Sequence, residues 1–383
     1  SLSGAQDGWD YALGLGREVS AGFNAQPKAN PDRDGYRTSS GSARLGRQLN
    51  PDHRIEATWL ASSSNAGYDG YTPNVDDRSL QDLKALSLSW QARWSEVWRS
   101  RLAVTQGSDR YETTPDPYLT KTTIRSGLWH NEWRIGNHQL TAALERREDR
   151  LRNDSTSPTT TERSQNALAL GYAVQLGVHA LQLNLRRDDD SEFGSRNTGN
   201  LGYALALSPQ WRATASAGTA FRAPTLFQRF SRYGVPNLQP EQGKNLELGL
   251  KYAAQGNQFS VLTYRNRLTN LINYLAGPGS CANGSGTYAG CYGNTGRASY
   301  SGLTLAAASQ LGSVGLSASL DLQDPQDDRT GLRLARRANR LGKLGADTTL
   351  AGWNLNADWL LSGNRFDDAA NTRRLPGYTV VNL

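Results

Sequence analysis

An all-β fold, an antiparallel up-and-down transmembrane β-barrel, is what this 383-residue sequence predicts, from three observations. Apolar residues recur at every second position, and the links between these stretches alternate short and long. The stretches are also too many for side chains to fill the space they would enclose. Residues 1–383 read as one domain of this kind.

The alternation is plainest in five segments. Leu86, Leu88, Trp90 and Trp94 alternate with Ser87, Ser89, Gln91 and Arg93. Leu168, Leu170, Tyr172, Val174 and Leu176 share a face opposite Ala169, Gly171, Ala173 and Gln175. Leu246, Leu248, Leu250 and Tyr252 lie opposite Asn245, Glu247, Gly249 and Lys251, and residues 314–323 repeat the design. Near the end, Trp353, Leu355, Ala357, Trp359 and Leu361 oppose Asn354, Asn356, Asp358 and Ser362. A period of two belongs to a strand, whose successive side chains point to opposite faces. Helical spacing never competes over a comparable length.

Short turns are expected near residues 50–52, 95–96, 136–137, 176–177, 208–209, 255–257, 312–313 and 351–352. Between them lie long polar links at 24–35, 66–80, 111–121, 151–162, 190–199, 222–241, 276–296, 324–336 and 364–376. About 18 strands follow, in a meander whose long loops all gather at one end. So wide a ring must hold water or a plug, which puts charged residues such as Arg186, Glu247, Lys251 and Asp321 inside. The Leu/Trp/Tyr row then faces hydrocarbon, with Trp9, Trp98, Tyr172 and Trp211 as interfacial girdle residues. A soluble sandwich or solenoid is the alternative, and neither explains loops that are long at every second link.

Composition narrows the function classes. Mean hydropathy is −0.62 and no apolar run reaches the roughly 18 residues of a spanning helix, which excludes a helical membrane protein but not a barrel. The net charge of +7 comes from 42 Lys and Arg against 35 Asp and Glu with no basic block, so nucleic-acid binding has no support. With no Met and no signal peptide at Ser1, the chain is expected to be a processed or trimmed piece. Cys281 and Cys291, the two cysteines, lie in a Gly/Ser/Asn-rich stretch without zinc-site partners. A local disulfide in an oxidising compartment is expected in preference to two free thiols.

The run Gly218-Thr219-Ala220-Phe221-Arg222-Ala223-Pro224-Thr225-Leu226 is followed by Gly234-Val235-Pro236-Asn237-Leu238-Gln239-Pro240-Glu241 and Lys244-Asn245-Leu246-Glu247-Leu248-Gly249. This composite resembles the barrel signature of TonB-dependent outer-membrane receptors. Its prolines end strands where no ladder donor is needed and stiffen the loop between them, an architectural role. Within that family the likeness is to the cobalamin (vitamin B12) transporters, carried in order by residues 187–194, 264–266, 271–274, 294–298 and 334–338. The resemblance implies a 22-stranded barrel with an N-terminal plug, of which this chain supplies the third to the twentieth strands. It also implies a monomer in the outer membrane of a Gram-negative bacterium, surrounded by lipid. Corrinoid import would be energised by TonB and its inner-membrane complex through a plug segment missing here.

Two early loops hold the chemistry. Asn24, Asn30, Asp32 and Asp34 stand in the first, and Asp69, Asp76 and Asp77 in the second. Neighbouring hairpins of one rim bring such groups together. Calcium takes six to eight oxygen ligands from Asp/Asn-rich loops, and Gly after Asp34 permits a sharp turn. A solvated acidic turn is the plain alternative. The resemblance favours calcium: Asp32, Asp34, Asp69 and Asp76 match the family's calcium aspartates, with Asn30 and the Tyr68 backbone at flanking positions. Asn24 replaces an Asp, removing one charge. By the same resemblance Gly70 and Arg336 contact the corrinoid, while a tyrosine contact is replaced by Ala370.

A ferric-siderophore receptor shares barrel, plug and signature, and is the nearest alternative. Haem uptake commonly uses loop histidines, yet His53, His138 and His179 lie beside short turns and His130 within a strand. A passive porin predicts that the barrel closes as it stands, whereas the receptor predicts an open seam. No Ser or Asp with a His on one rim supports an enzyme.

Overall fold

The computed structural model describes residues 1–24, 30–70, 72–156, 158–276, 290–294 and 296–383. The chain begins with β1 (Leu2–Gln6), β2 (Trp9–Ser20), β3 (Tyr36–Asn50), β4 (His53–Tyr68), β5 (Asp77–Arg93) and β6 (Trp98–Thr114). It continues through β7 (Tyr118–Ile135), β8 (His138–Asn153), β9 (Thr160–Leu176), β10 (His179–Asp190), β11 (Gly194–Ala206) and β12 (Trp211–Arg222). A short helix, α1 (Leu226–Phe230), precedes β13 (Glu241–Ala254) and β14 (Asn257–Thr269). Next come β15 (Ile272–Ala276), β16 (Gly290–Asn294), β17 (Arg297–Leu311) and β18 (Val314–Asp327). The last strands are β19 (Arg340–Leu350), β20 (Trp353–Ser362), β21 (Arg365–Phe366), β22 (Arg374–Leu375) and β23 (Tyr378–Asn382).

Nineteen of these form one antiparallel meander, while β15–β16 and β21–β22 are separate hairpins within loops. The nineteenth member, beyond the eighteen or so expected, is β1. Its five residues carry one large apolar side chain, too few for a period, and the Asp7-Gly8 turn with both φ angles positive folds it onto β2. Among the described residues β1 pairs with β2 alone and β23 with β20 alone, so the sheet keeps two unpaired edges.

Register settles which residues share a face. Leu13, Ala43, Trp59 and Leu86 stand side by side across β2–β5, as do Leu102, Trp129, Leu144 and Leu168 across β6–β9. This face is bare: Leu86 is 57% exposed and Leu248 51%. The opposite face carries Asp10, Arg54 and Glu56 in a chain of ion pairs at 2.6 and 3.1 Å. There too Arg186 binds Glu145 and Asp188 at 2.9 and 2.8 Å. An ionic lining with leucines outside is the geometry of a wall between hydrocarbon and water. The lining is not uniformly polar, since Leu60 and Leu83 stand on it around a depression of about 770 Å3 floored by Gly14, Gly16 and Gly107.

Two of the nine expected long links are tight. β6 and β7 run on to residues 115–117, and β10 and β11 to residues 191–193, with Thr113 opposite Tyr118 and Asp190 opposite Gly194. The 18 residues of β7 exceed the roughly 9–11 needed to cross hydrocarbon, so such strand tips stand in water on both faces. There the ladder persists while the apolar alternation that reveals it disappears. At the short-turn end the aromatic residues form a girdle of stacked groups. His53 stacks on Trp90 (5.7 Å between centroids), Trp98 on Trp133 (6.1 Å), His138 on Tyr172 (6.0 Å), and Trp211 leans on Tyr252 (5.0 Å).

Candidate functional site

The two early loops meet at the rim. Gly22, at φ +67°, lets the chain turn so sharply that a Cβ there would sit 2.0 Å from the Asp34 carbonyl oxygen. The Gly67 amide donates to the Gly35 carbonyl (2.8 Å), tying the end of β4 to the loop before β3. Asn30, 2% exposed, is the hub: its Nδ2 donates to Asp69 Oδ1 (2.9 Å) and its backbone carbonyl accepts from Asn24 Nδ2 (2.6 Å). The Asn74 amide closes the second loop onto Asn30 Oδ1 (2.5 Å).

Two oxygens of this cluster, Asn24 Oδ1 and Asp69 Oδ2, are buried without any hydrogen-bond partner. No ion pair among the described residues reaches Asp69. A buried acceptor left unpaired is costly, and a buried carboxylate without a cation more so. The donor set is all oxygen, and its orphaned members fit a hard cation such as calcium, with Asn24, Asn30, Asp34, Asp69 and the Tyr68 carbonyl within one loop pair.

The other predicted ligands stand apart. Asp32 is exposed, and Asp76 is exposed with Arg78 at 3.5 Å. No group of three or more His, Cys, Asp or Glu side chains among the described residues is close enough to share a metal, so the cluster is amide-rich instead of a carboxylate cage. Asp77, not counted among the ligands, is the residue that turns in and accepts the Gly70 amide (3.1 Å). A Cβ at Gly70 would lie 2.2 Å from that carboxylate, so the predicted ligand-contacting backbone needs glycine.

Arg336 lies in the loop between β18 and β19, with φ +59°, a conformation rare for a long side chain. Its amide donates to the Phe366 carbonyl (2.6 Å) and its Nε to Asp367 (2.8 Å), which also pairs with Arg373. Nearby, the Asp368 carboxylate accepts the Arg373 and Thr372 amides, which holds its pKa below the ordinary carboxylate range. Ala370 is exposed on the same loop. Cys291 is buried and disulfide-bonded, while Cys281 lies outside the described residues.

A second rim cluster was not foreseen. Thr225 caps α1 in a reciprocal capping box with Gln228, a Thr-x-x-Gln pattern legible in the sequence. α1 packs against β8 and β9, where Arg163, 9% exposed, donates to the Pro224 carbonyl (2.7 Å) and Asp149 (2.8 Å) and faces Asp190 at 3.5 Å. Asn153, fully buried, donates to Thr120 Oγ1 (2.8 Å) and accepts the Ser155 amide (2.9 Å).

A single meander with an oily outer face, an ionic lining and structured loops at one end defines the class of outer-membrane-type receptor barrels. The chain belongs to the TonB-dependent receptor-like β-barrel family, whose model matches residues 2–383. It is 26% identical over 389 residues to the vitamin B12 transporter BtuB of Photobacterium profundum, covering 99% of this chain and 62% of that protein. The match to BtuB of Vibrio cholerae is 27% over 380 residues, covering 94% and 59%. The chain thus spans about three-fifths of these relatives' length. Among solved structures it resembles the ferric enterobactin receptor PfeA of Pseudomonas aeruginosa, with a TM-score of 0.83 and 17% identity over 99% of this chain and 68% of that one. The siderophore receptor PirA of Acinetobacter baumannii gives 0.80 and 15% over 98% and 68%. These structural likenesses show the fold. The family and the relatives named are receptors and transporters, not enzymes.

Proposed function

We propose that this chain is the greater part of the barrel of an outer-membrane receptor that imports corrinoids, with TonB as the energising partner and calcium ordering its extracellular loops. The observation that carries the reading is the Asn24–Asn30–Asp69 cluster with its two orphaned oxygens, in a chain whose relatives bear the vitamin B12 transporter name. Calcium supplies the positive charge that the Asp69 carboxylate lacks. Asn24, Asn30, Asp34, Asp69 and the Tyr68 carbonyl hold it, and exposed Asp32 and Asp76 join as the loops close. Gly70, next to Asp69, then presents its backbone to the ligand from a fixed position. Arg336, pinned by Asp367, approaches from the other side of the rim. Ordering of this kind is a population shift, worth the difference in ligand affinity between ordered and disordered loops.

Equilibrium binding of cobalamin to the full-length receptor, with and without a calcium chelator, tests the reading. Affinity is expected to fall by about tenfold or more in chelator, the scale of a typical coupling free energy between two sites. Undiminished affinity would count against calcium. A ferric catecholate that binds where cobalamin does not would replace the corrinoid by a siderophore, the alternative that shares this barrel.

A further inference from the structure

The outward face of the wall changes character abruptly along β6–β9. Counting from the short-turn end, the nine residues Gly127–Ile135 of β7 and the seven residues His138–Leu144 of β8 supply the oily stretch, near the roughly 9–11 residues a tilted strand needs to cross hydrocarbon. The next outward pairs are Gly127 with Arg146, Arg125 with Glu148, Thr123 with Arg150, and finally Lys121 with Arg152, so five cations and one carboxylate share the face of Trp129 and Leu144, the cations all exposed. They border a depression of about 730 Å3. At the short-turn end the corresponding boundary is marked by stacked Trp, Tyr and His rings instead.

The cations are incompletely neutralised. Arg146 pairs with Glu148 (2.9 Å), and Glu162 stands opposite Arg150 in the ladder. Yet among the described residues Lys121, Arg125, Arg150 and Arg152 reach no carboxylate, and Arg125 bonds only Gln106 (2.8 Å). On the inner side of the same strand tips, Asp149, Leu151 and Asn153 are buried under the α1 loop, so the patch has one open side, outward.

We infer that this patch binds the phosphate of a lipid headgroup in the leaflet at the long-loop end. Guanidinium forks match phosphate oxygens in pairs, and four of these five cations are arginines. Position selects the source: the patch continues the lipid-facing band, and barrels of this kind put their long loops outside the cell, so the groups beside it are outer-leaflet headgroups. The inference stands apart from the identity of the transported ligand.

The test uses the full-length receptor in non-ionic detergent, with native mass spectrometry as the readout. The probes are diphosphorylated lipid A and the same lipid with its phosphates removed. Retention of the phosphorylated form is expected to exceed the other by about tenfold or more, since each basic residue near a membrane surface contributes appreciably. The quadruple variant Lys121→Gln, Arg125→Gln, Arg150→Gln, Arg152→Gln is expected to erase that preference. The comparator Arg101→Gln, Arg212→Gln, Lys251→Gln, on the inner face near the short turns, is expected to keep it. Equal retention by the quadruple variant, or equal loss in the comparator, would overturn the proposal. So would displacement by inorganic pyrophosphate at the lipid's own concentration, which would make this a general anion site. If the quadruple variant does not assemble, Arg150→Gln and Arg152→Gln singly must each lower retention, and no change in either overturns it.

Discussion

Two buried polar clusters sit at one rim and differ in what they lack. Around Arg163 each carboxylate has a cation: the guanidinium binds Asp149, holds the Pro224 carbonyl and stands 3.5 Å from Asp190 Oδ2, which has no hydrogen bond of its own, while Asn153 nearby is bonded from both ends of its amide. Around Asn30 the hydrogen bonds are equally short, yet Asp69 Oδ2 and Asn24 Oδ1 have no hydrogen-bond partner. The first cluster fastens a loop to the wall using only the chain. The second leaves two oxygens that no described residue bonds, and on the calcium reading proposed above this separates a binding site from a structural joint.

The comparison breaks most sharply at Arg163. Arg163→Ala leaves buried Asp190 without its cation, while Asp149 keeps Arg147 at 2.7 Å, and is expected to cost about 3 kcal/mol locally. Hydrogen exchange in the full-length receptor should show residues 223–240 losing protection while the barrel strands keep theirs. Unchanged protection would mean the joint is held otherwise. Asn153→Ala, which strands the Ser155 amide and Thr120 hydroxyl, is expected to cost about 1–3 kcal/mol, read the same way at residues 154–159.

Asp69→Asn should behave in the opposite sense. It removes a half-buried charge that Asn30 bonds at one oxygen but no ion pair among the described residues neutralises, so in chelator the loops 21–35 and 69–76 should be as protected as in the wild type or more so, by about 1 kcal/mol. Adding calcium should then raise protection in the wild type and not in the variant. A variant that loosens in chelator would show that Asp69 is already satisfied, and the contrast between the clusters would collapse.

The smallest effect concerns Asp368. Its folded pKa is depressed by backbone amides, so the stabilisation it gives the β21–β22 loop is present above the ordinary carboxylate range and is lost as pH falls through the folded value. Chemical shifts of the Thr372 and Arg373 amides should therefore move only below about pH 4. A transition near neutrality would contradict the assignment.

The wall was legible because lipid imposes one rule on every second residue, as in Leu168–Val174 or Leu246–Tyr252. Where lipid ends the rule ends, which is why the tips of β6–β7 and β10–β11 looked like loops and why β1, with Leu2 its only large apolar residue, was missed. Leu60 and Leu83 break the pattern from the other side, being apolar on the lining. At the rim, the residues of the two early loops were identifiable, but not which carboxylates turn in. Asp77 opens β5 and turns in to accept the Gly70 amide, while Asp76, just before the strand, is exposed, and where the strand begins is not something loop composition encodes. The Arg163 joint links β9 to a segment about 60 positions away, and no local pattern announces such a pairing.

The tight turns, with Gly8, Gly136, Gly177, Gly256, Gly312 and Gly352 at positive φ, all lie at the end away from the rim. Each fixes how its two ribbons slide against each other before the far end is reached. The connections there range from three residues to the 27 positions between β14 and β17 without disturbing the alignment. The rim can therefore be rewritten at one pole of the molecule while the mould that sets its shape is kept at the other.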